Sequence, residues 1–143
     1  MMKFSETIEI NSQPQEIFTH YANVKDWSKW DSDVEYATIE NDFKQGAIGT
    51  LKAKGAPKSK ILFIEVTKDK SFTTLGKLPL CKIYFEHQLE VVDTNTTKVT
   101  HSVIFDGLLA PLFGRMIGHG IQKHLPNALL GLKDLVETGQ NNE

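Results

Sequence analysis

Cysteine is almost absent from this chain of 143 residues, because Cys81 is the only one and no intrachain disulfide can form. No apolar run approaches the roughly 20 residues of a membrane-spanning helix, so we expect any membrane contact to be peripheral. The formal charge of -2 gives no general attraction to nucleic-acid phosphates. The opening MMKFSETIEI alternates polar and apolar residues and does not read as a leader. These absences predict a cytoplasmic protein that does not bind nucleic acid.

Spacings that are typical of metal sites and reactive nucleophiles are also missing. His119 and His124 are five residues apart, about 140° around a helix, so they cannot chelate one ion together. Cys81 has no activating partner in the sequence, and neither a Gly-x-Ser-x-Gly motif nor a phosphate-binding glycine loop occurs. We therefore predict no metal and no cofactor.

Period-two alternation of apolar residues predicts seven strands, with two short helices between the first strand and the second. The predicted strands cover residues 3–10, 34–40, 47–54, 60–67, 71–75, 80–92 and 98–106. One short helix contains Ile17, Phe18 and Tyr21, and the other covers residues 23–28. Short separators between the later strands predict antiparallel hairpins, since parallel neighbours would need long crossovers.

The last third of the chain predicts one long amphipathic helix over residues 109–138, in which Pro126 should cause a kink. At about 1.5 Å per residue, a helix of this length crosses a whole sheet. Residues 138–143 are expected to form a frayed tail. The predicted fold is α+β: one domain over residues 1–143, with a curved antiparallel seven-stranded sheet around a long C-terminal helix, in the order β-α-α-β6-α.

Loose motifs spread over nearly the whole chain resemble those of the START-like (SRPBCC) helix-grip superfamily, in particular its polyketide cyclase/dehydrase-like branch. The matching stretches are Ile10-x-x-x-Pro14-x-x-Ile17-Phe18, Trp27-x-x-Trp30-Asp31, Gly46-x-x-Gly49, Tyr84-Phe85-Glu86-His87, Val99-Thr100-His101 and the segment from Gly107 through Leu132-Lys133-Asp134-Leu135. The resemblance implies a deep apolar cavity between the sheet and the last helix. Some relatives are enzymes and many are carriers or sensors, so the fold alone does not decide the function.

The resemblance also implies two mobile loops at the mouth of the cavity, as in the plant hormone receptors of the superfamily. In this sequence the corresponding segments are Gly55-Ala56-Pro57 and Gly76-Lys77-Leu78-Pro79. Gly55, Pro57, Leu78 and Pro79 are therefore candidate gating residues. The alternative is that glycine and proline serve only the geometry of hairpin turns.

His87 and His101 are the most interesting polar residues, because each lies among apolar residues of its own parity on a predicted strand. If that face lines the cavity, the two rings lie close together on adjacent strands and can hold a ligand hydroxyl or carbonyl, or act as acid and base. If the facing is reversed, Glu86 becomes the cavity acid. Both histidines can also be purely structural.

The remaining predicted ligand-binding residues surround this pair. They are Trp30 at the mouth, Phe85, Val103 and Phe105 on the strands, and Leu112 and Met116 on the long helix. Core packing is the alternative for the tryptophan. The glycines beside Met116 fit either a pliable helix or close packing of the helix on the sheet.

Lysines are concentrated between Leu51 and Lys82, where eight of them accompany two acids. They are Lys52, Lys54, Lys58, Lys60, Lys68, Lys70, Lys77 and Lys82. Such lysines commonly protect exposed strand edges. The alternative is that they attract an anionic ligand or a lipid headgroup to one rim of the domain.

We therefore predict a monomer or homodimer that binds or transports a hydrophobic small molecule, lipid-like or polyketide-like, in this cavity. The alternative is a cyclase, dehydratase or isomerase in which His87 or His101 transfers protons. A weaker alternative is a protein-binding module that presents its basic rim to an acidic partner. A histidine without a neighbouring acid favours binding, and a histidine hydrogen-bonded to an acid favours catalysis.

Overall fold

A computed structural model describes residues 1–141, and the side chains of residues 1–139. The strands are β1 Met2–Ile10, β2 Val34–Ile39, β3 Ile48–Ala53, β4 Ser59–Thr67, β5 Ser71–Leu78, β6 Cys81–Asp93 and β7 Thr96–Asp106. The helices are α1 Pro14–Ala22, a 3₁₀ helix Val24–Lys29, α2 Ala110–Phe113, a π-helical turn Gly114–Gly118 and α3 His119–Asn141. The predicted tail is therefore wrong as far as Asn141, and residues 142–143 lie outside the described part.

The strands form one antiparallel sheet in the order β1-β7-β6-β5-β4-β3-β2. Five neighbouring pairs are sequential hairpins, as the short separators predict, and β1 closes onto β7 with Met2 opposite Phe105. Together with the long C-terminal helical segment, this arrangement confirms the α+β helix-grip fold.

Two apolar clusters fill the space between the sheet and the helices. The larger one joins α1, the 3₁₀ helix, all seven strands and the later part of α3, and it includes a group of aromatic rings: Phe18, Tyr21, Trp27, Trp30, Phe63 and Phe72. The smaller one joins the ends of β6 and β7 to α2 and the start of α3. The aromatic rings occupy much of the volume under the sheet, so the space left for a guest molecule is limited.

The hairpin between β5 and β6 is tighter than predicted. β5 continues to Leu78, which pairs with Cys81, so only Pro79 and Leu80 form the loop. The prediction of a four-residue loop was wrong, because Gly76 was taken as a turn residue although it pairs with Ile83 within the ladder. Leu78 is thus a strand residue that packs against the smaller apolar cluster.

The C-terminal helical segment is interrupted by one π-helical turn, where the sequence predicted a continuous helix. Two glycines of this turn press on β1: a Cβ on Gly114 would lie 2.5 Å from Met2 Sδ, and one on Gly118 would lie 2.6 Å from Phe4 Cε2. Of the two alternatives for these glycines, close packing on the sheet is the one observed. Pro126 lies inside α3.

Candidate functional site

A cavity of about 190 Å³ remains between the sheet and α3. Most of its wall is apolar, and His87, His101 and Thr74 form polar points on the strands. The wall consists of Trp27, Trp30, Asp31, Asp33, Val34, Leu51, Ala53, Ile61, Thr74, Phe85, His87, His101, Ser102, Ile121, His124, Leu125 and Ala128. The predicted space between sheet and helix is present, although it is small.

The two histidines lie directly opposite each other on β6 and β7, because the register pairs His87 with His101. Their ring centroids are 4.6 Å apart. Both side chains face the cavity, whereas Glu86 lies on the other face of the sheet, where it approaches Lys3 within 3.8 Å. The reversed facing, in which Glu86 becomes the cavity acid, is therefore excluded.

Each histidine has a fixed hydrogen-bond partner. His87 Nδ1 donates to the carbonyl oxygen of Phe72 at 3.3 Å, and the His87 ring stacks on the Phe72 ring with centroids 3.9 Å apart. The hydroxyl of Tyr21 is 2.8 Å from His101 Nε2. A neutral imidazole has one donor and one acceptor nitrogen, so the donation from Nδ1 makes His87 Nε2 the acceptor.

Burial keeps the imidazoles of His87 and His101 and the hydroxyl of Tyr21 uncharged. It lowers the pKa of His87 to about 4, and the carbonyls of Phe72 and Phe85 oppose only part of this effect. Burial also lowers the pKa of His101, which the proximity of His87 lowers further. Burial raises the pKa of the Tyr21 hydroxyl. The inner wall of the cavity is therefore polar but neutral near pH 7.

We expect the free energy of unfolding to decrease as the pH falls from about 6.5 to about 4. An unfolded histidine takes up a proton near pH 6.5, whereas native His87 does so only near pH 4. The unfolded state therefore binds more protons in this window, and stability is lost as the pH falls. His87 alone accounts for ~3 kcal/mol at the acid end, and His101 acts in the same direction. Urea unfolding at a series of pH values measures the slope.

The variant His87→Phe tests the source of this slope, because it keeps the stacking on Phe72 and removes the titrating group. We expect a shallower dependence on pH than in the unmodified protein. His119→Gln replaces an exposed histidine and serves as the control. Equal slopes in His87→Phe and the unmodified protein would show that His87 does not cause the acid sensitivity.

The mouth of the cavity carries two carboxylates. Asp33 and His124 are both partly exposed and lie 4.0 Å apart, and they mark the place where the cavity meets solvent. Asp31 lies beside them and accepts a hydrogen bond from the backbone N–H of Asp33 at 3.0 Å. Burial raises the pKa of Asp31. From the sequence, Asp31 was named only as part of the Trp27-x-x-Trp30-Asp31 motif, and the place of Asp31 and Asp33 in the wall was missed.

Trp30, Phe85, His87 and His101 line the cavity together, as the sequence analysis expected. Val103 and Phe105 do not: they are fully buried in the smaller apolar cluster. The expectation for Leu112 and Met116 is also corrected, because their side chains are 49% and 66% exposed. Because Gly114 and Gly118 face β1, Leu112 and Met116 lie on the side of the helix that points towards solvent.

The two predicted gating segments both lie at the mouth end of the sheet, which we define as the end where β2, β4 and β6 begin. Gly55 and Pro57 lie in the exposed loop between β3 and β4. Pro79 is exposed in the two-residue hairpin loop, and Leu78 precedes it in β5. Gating by these residues stays a prediction.

Tyr21 is the residue of the site whose role sequence analysis missed. From the sequence it was named only as a residue of the first short helix, and its partner His101 is 80 residues away. Nothing in the local pattern indicates a bond of that range. Trp30 Nε1 is also notable as the only buried side-chain nitrogen or oxygen without a hydrogen-bond partner in the described part of the chain.

Among residues 1–141, no helix is long and apolar enough to cross a membrane. In the same residues, no group of three or more histidines, cysteines or carboxylates is arranged to hold a metal ion.

Comparison with solved structures identifies proteins of the same fold. A truncated norcoclaurine synthase from Thalictrum flavum superposes with a TM-score of 0.73 at 15% identity, over 94% of this chain and 92% of that one. The Zhui aromatase/cyclase from Streptomyces sp. R1128 gives 0.75 at 11% identity, over 95% and 93%. A hypothetical protein from Helicobacter pylori gives 0.76 at 11% identity, over 94% and 88%. At such low identity these likenesses show the fold alone.

Comparison of sequences identifies the family. No curated protein matches the chain significantly. Residues 1–137 match the sequence profile of the family described as polyketide cyclase / dehydrase and lipid transport. Because the match covers nearly the whole chain, this protein belongs to the polyketide cyclase/dehydrase and lipid transport family.

Proposed function

We propose that this protein binds a small, mostly apolar molecule with a hydroxyl group, of about the size of one substituted ring. The observation that carries the proposal is the small apolar cavity with two neutral imidazoles on its inner wall. Ligand sites usually combine an apolar wall with a few fixed polar groups, as here.

The volume limits the size of the guest. A cavity of roughly 150 Å³ can hold benzene, whereas pockets for drug-sized ligands measure roughly 300 to 1,000 Å³. The 190 Å³ available here therefore suits a single ring better than a fused polyketide or a full acyl chain. A longer molecule fits only if part of it remains outside the mouth.

The hydrogen bonding of His87 limits the chemistry of the guest. Its Nδ1 is occupied by the Phe72 carbonyl, so Nε2 offers a lone pair. A hydroxyl can donate to that lone pair and can also accept from the unpartnered Trp30 Nε1–H, whereas a carbonyl can only accept. We therefore propose an alcohol or a phenol in preference to a ketone.

Binding is preferred to catalysis because no carboxylate is hydrogen-bonded to either cavity histidine in the described part of the chain. An imidazole with a pKa near 4 is also a weak base at neutral pH. One observation favours proton-transfer chemistry instead: Asp31 lies on the same wall with a raised pKa. The enzymatic alternative also has a precedent in the fold, since two proteins of the same fold are named as a synthase and a cyclase.

Titration of the protein with phenol and with 1-naphthol, observed through the imidazole ¹⁵N resonances, tests the proposal. We expect phenol to shift the resonances of His87 and His101 to saturation. 1-Naphthol, with its second ring, should bind about tenfold or more weakly, since an overfilled cavity costs more than about 1 kcal/mol. Rings that respond to neither compound would remove the proposal.

A second experiment separates binding from catalysis. Native mass spectrometry of protein purified from its own host identifies a copurifying small molecule. A guest recovered unchanged after incubation supports binding. Conversion that is lost in both His87→Ala and His101→Ala would support the enzymatic alternative.

A further inference from the structure

Four large apolar side chains are exposed at the mouth end of the sheet, where the β5–β6 hairpin meets the start of the C-terminal helical segment. We call them the apolar rim: Leu80, Leu108, Leu112 and Met116, which are 64%, 79%, 49% and 66% exposed. Single exposed apolar residues are normal on a protein surface, but a contiguous group marks an interaction site.

Leu80 is the most unexpected member of the rim. It occupies the two-residue hairpin loop with a φ of 53°, in the left-handed region that favours Gly, Asn or Asp. A leucine there costs conformational energy, and its exposure costs hydration free energy as well. Because Leu80 is unfavourable in both conformation and hydration, its presence indicates a function other than the folding of the hairpin.

The rim is held in place by the backbone. The carbonyl of Leu80 accepts the N–H of Leu109 at 3.0 Å, which fixes the hairpin against the start of the C-terminal helical segment. Gly107 makes this approach possible, because a Cβ at that position would lie 2.6 Å from the Leu80 oxygen. The exposed leucines thus lie on a hairpin and a helix start that are hydrogen-bonded to each other.

Exposed cations without ion-pair partners surround the same end of the sheet. They are Lys54, Lys58, Lys77, Lys82 and Arg115, none of which forms an ion pair in the described residues, whereas Lys3 and Lys52 near the same end pair with Glu86 and Glu35. Lys77 and Lys82 are direct neighbours across the β5–β6 hairpin, just behind Leu80. Three acidic residues are also present at this end: Asp106 lies opposite Lys82, and Asp31 and Asp33 lie at the cavity mouth.

We propose that the mouth end of this protein docks on an anionic lipid bilayer. The rim would enter the interfacial layer, and the lysines and Arg115 would contact the acidic headgroups. Lysine side chains can bury their stems beside such a rim and keep the ammonium at the headgroups. The cavity mouth then faces the bilayer, from which an apolar guest can enter without crossing water.

A bilayer fits this surface better than a second copy of the chain. A two-fold dimer would place the same patch on both sides of the interface, so the unpaired cations of one copy would face those of the other. Desolvating like charges in this way opposes association. An acidic bilayer neutralises the same charges.

Sedimentation with vesicles tests the proposal. We expect the protein to bind vesicles of phosphatidylcholine with phosphatidylserine, to bind vesicles of phosphatidylcholine alone much more weakly, and to be released by high salt. Leu80→Asn should reduce the partition coefficient about tenfold or more, since it removes a buried apolar anchor. Asparagine tolerates the left-handed conformation, so this variant should fold normally.

Val91→Asn is the matched control, because Val91 is 62% exposed near the opposite end of β6. We expect it to bind vesicles like the unmodified protein. Lys77→Gln combined with Lys82→Gln should remove most of the preference for phosphatidylserine. Phenol binding should be unchanged in all of these variants, so a failed docking experiment leaves the proposed cavity function standing.

Three results would overturn the docking proposal. The first is equal partition onto the two kinds of vesicle, and the second is full binding by Leu80→Asn. The third is a dimer in analytical ultracentrifugation that Leu80→Asn dissociates while no vesicles are bound, which would assign the rim to a second copy of the chain.

Discussion

The variant Ala128→Phe is expected to lose phenol binding by about a hundredfold or more, because its new ring occupies the space that we assign to the guest. Ala128 is buried on α3 and lines the cavity. The substitution adds a phenyl group to a volume of 190 Å³, so side chain and guest compete for the same place. A hundredfold loss corresponds to about 2.8 kcal/mol of binding free energy. Titration with phenol, followed by the imidazole resonances, gives the affinity.

Asn127→Phe is the control for this experiment, since Asn127 is exposed on the same helix. It should bind phenol like the unmodified protein. Ala128→Leu is a milder filling substitution for the case that phenylalanine disturbs the fold, which circular dichroism would show. Undiminished phenol binding by a folded Ala128 variant would place the guest outside this cavity.

Replacement of Phe72 by alanine is expected to lower the free energy of unfolding by about 3 to 5 kcal/mol. Phe72 is fully buried at the centre of the aromatic group, where its ring contacts those of Tyr21, Trp27 and His87. The truncation removes these contacts and leaves a cavity that the rigid sheet cannot close. Urea unfolding at neutral pH measures the loss.

Tyr36→Ala is the comparison for Phe72→Ala, because Tyr36 is a strand aromatic with 40% exposure. Its loss should be several-fold smaller, since much of its surface already contacts water. Similar losses in the two variants would contradict the central position of Phe72 in the core.

The strands, and the placement of both histidines on one face, could be predicted because both depend on alternation, whereas alternation left open which face lines the cavity. In an antiparallel ladder, two apolar faces can match only in a register that keeps parity, and the observed pairing of His87 with His101 follows that rule. The end of β5 was missed for a local reason. Glycine and proline at positions 76 and 79 indicated a longer loop, while the ladder with β6 kept the segment extended.

The helix and the cavity wall were harder to predict because they depend on long-range packing. The periodicity of the C-terminal segment identified its apolar residues but did not distinguish those that meet the sheet from Leu112 and Met116. Contacts of Gly114 and Gly118 with β1 decide that orientation. The Tyr21–His101 bond and the carboxylates at the mouth likewise follow from the assembled fold. The cavity volume is the property that is hardest to predict from sequence, because it is the space that the aromatic side chains leave unfilled.

The pairing of β1 with β7 has a consequence for how the chain reaches its native state. The other six strands form a meander in which every partner is next in sequence, so their hairpins require only short loop closures. β1 instead pairs with the last strand, from Met2 opposite Phe105 to Ile10 opposite Thr97. During synthesis the first strand therefore leaves the ribosome long before its partner exists. β1 must therefore wait until β7 has been made, and its apolar face is the one that a chaperone would have to protect meanwhile.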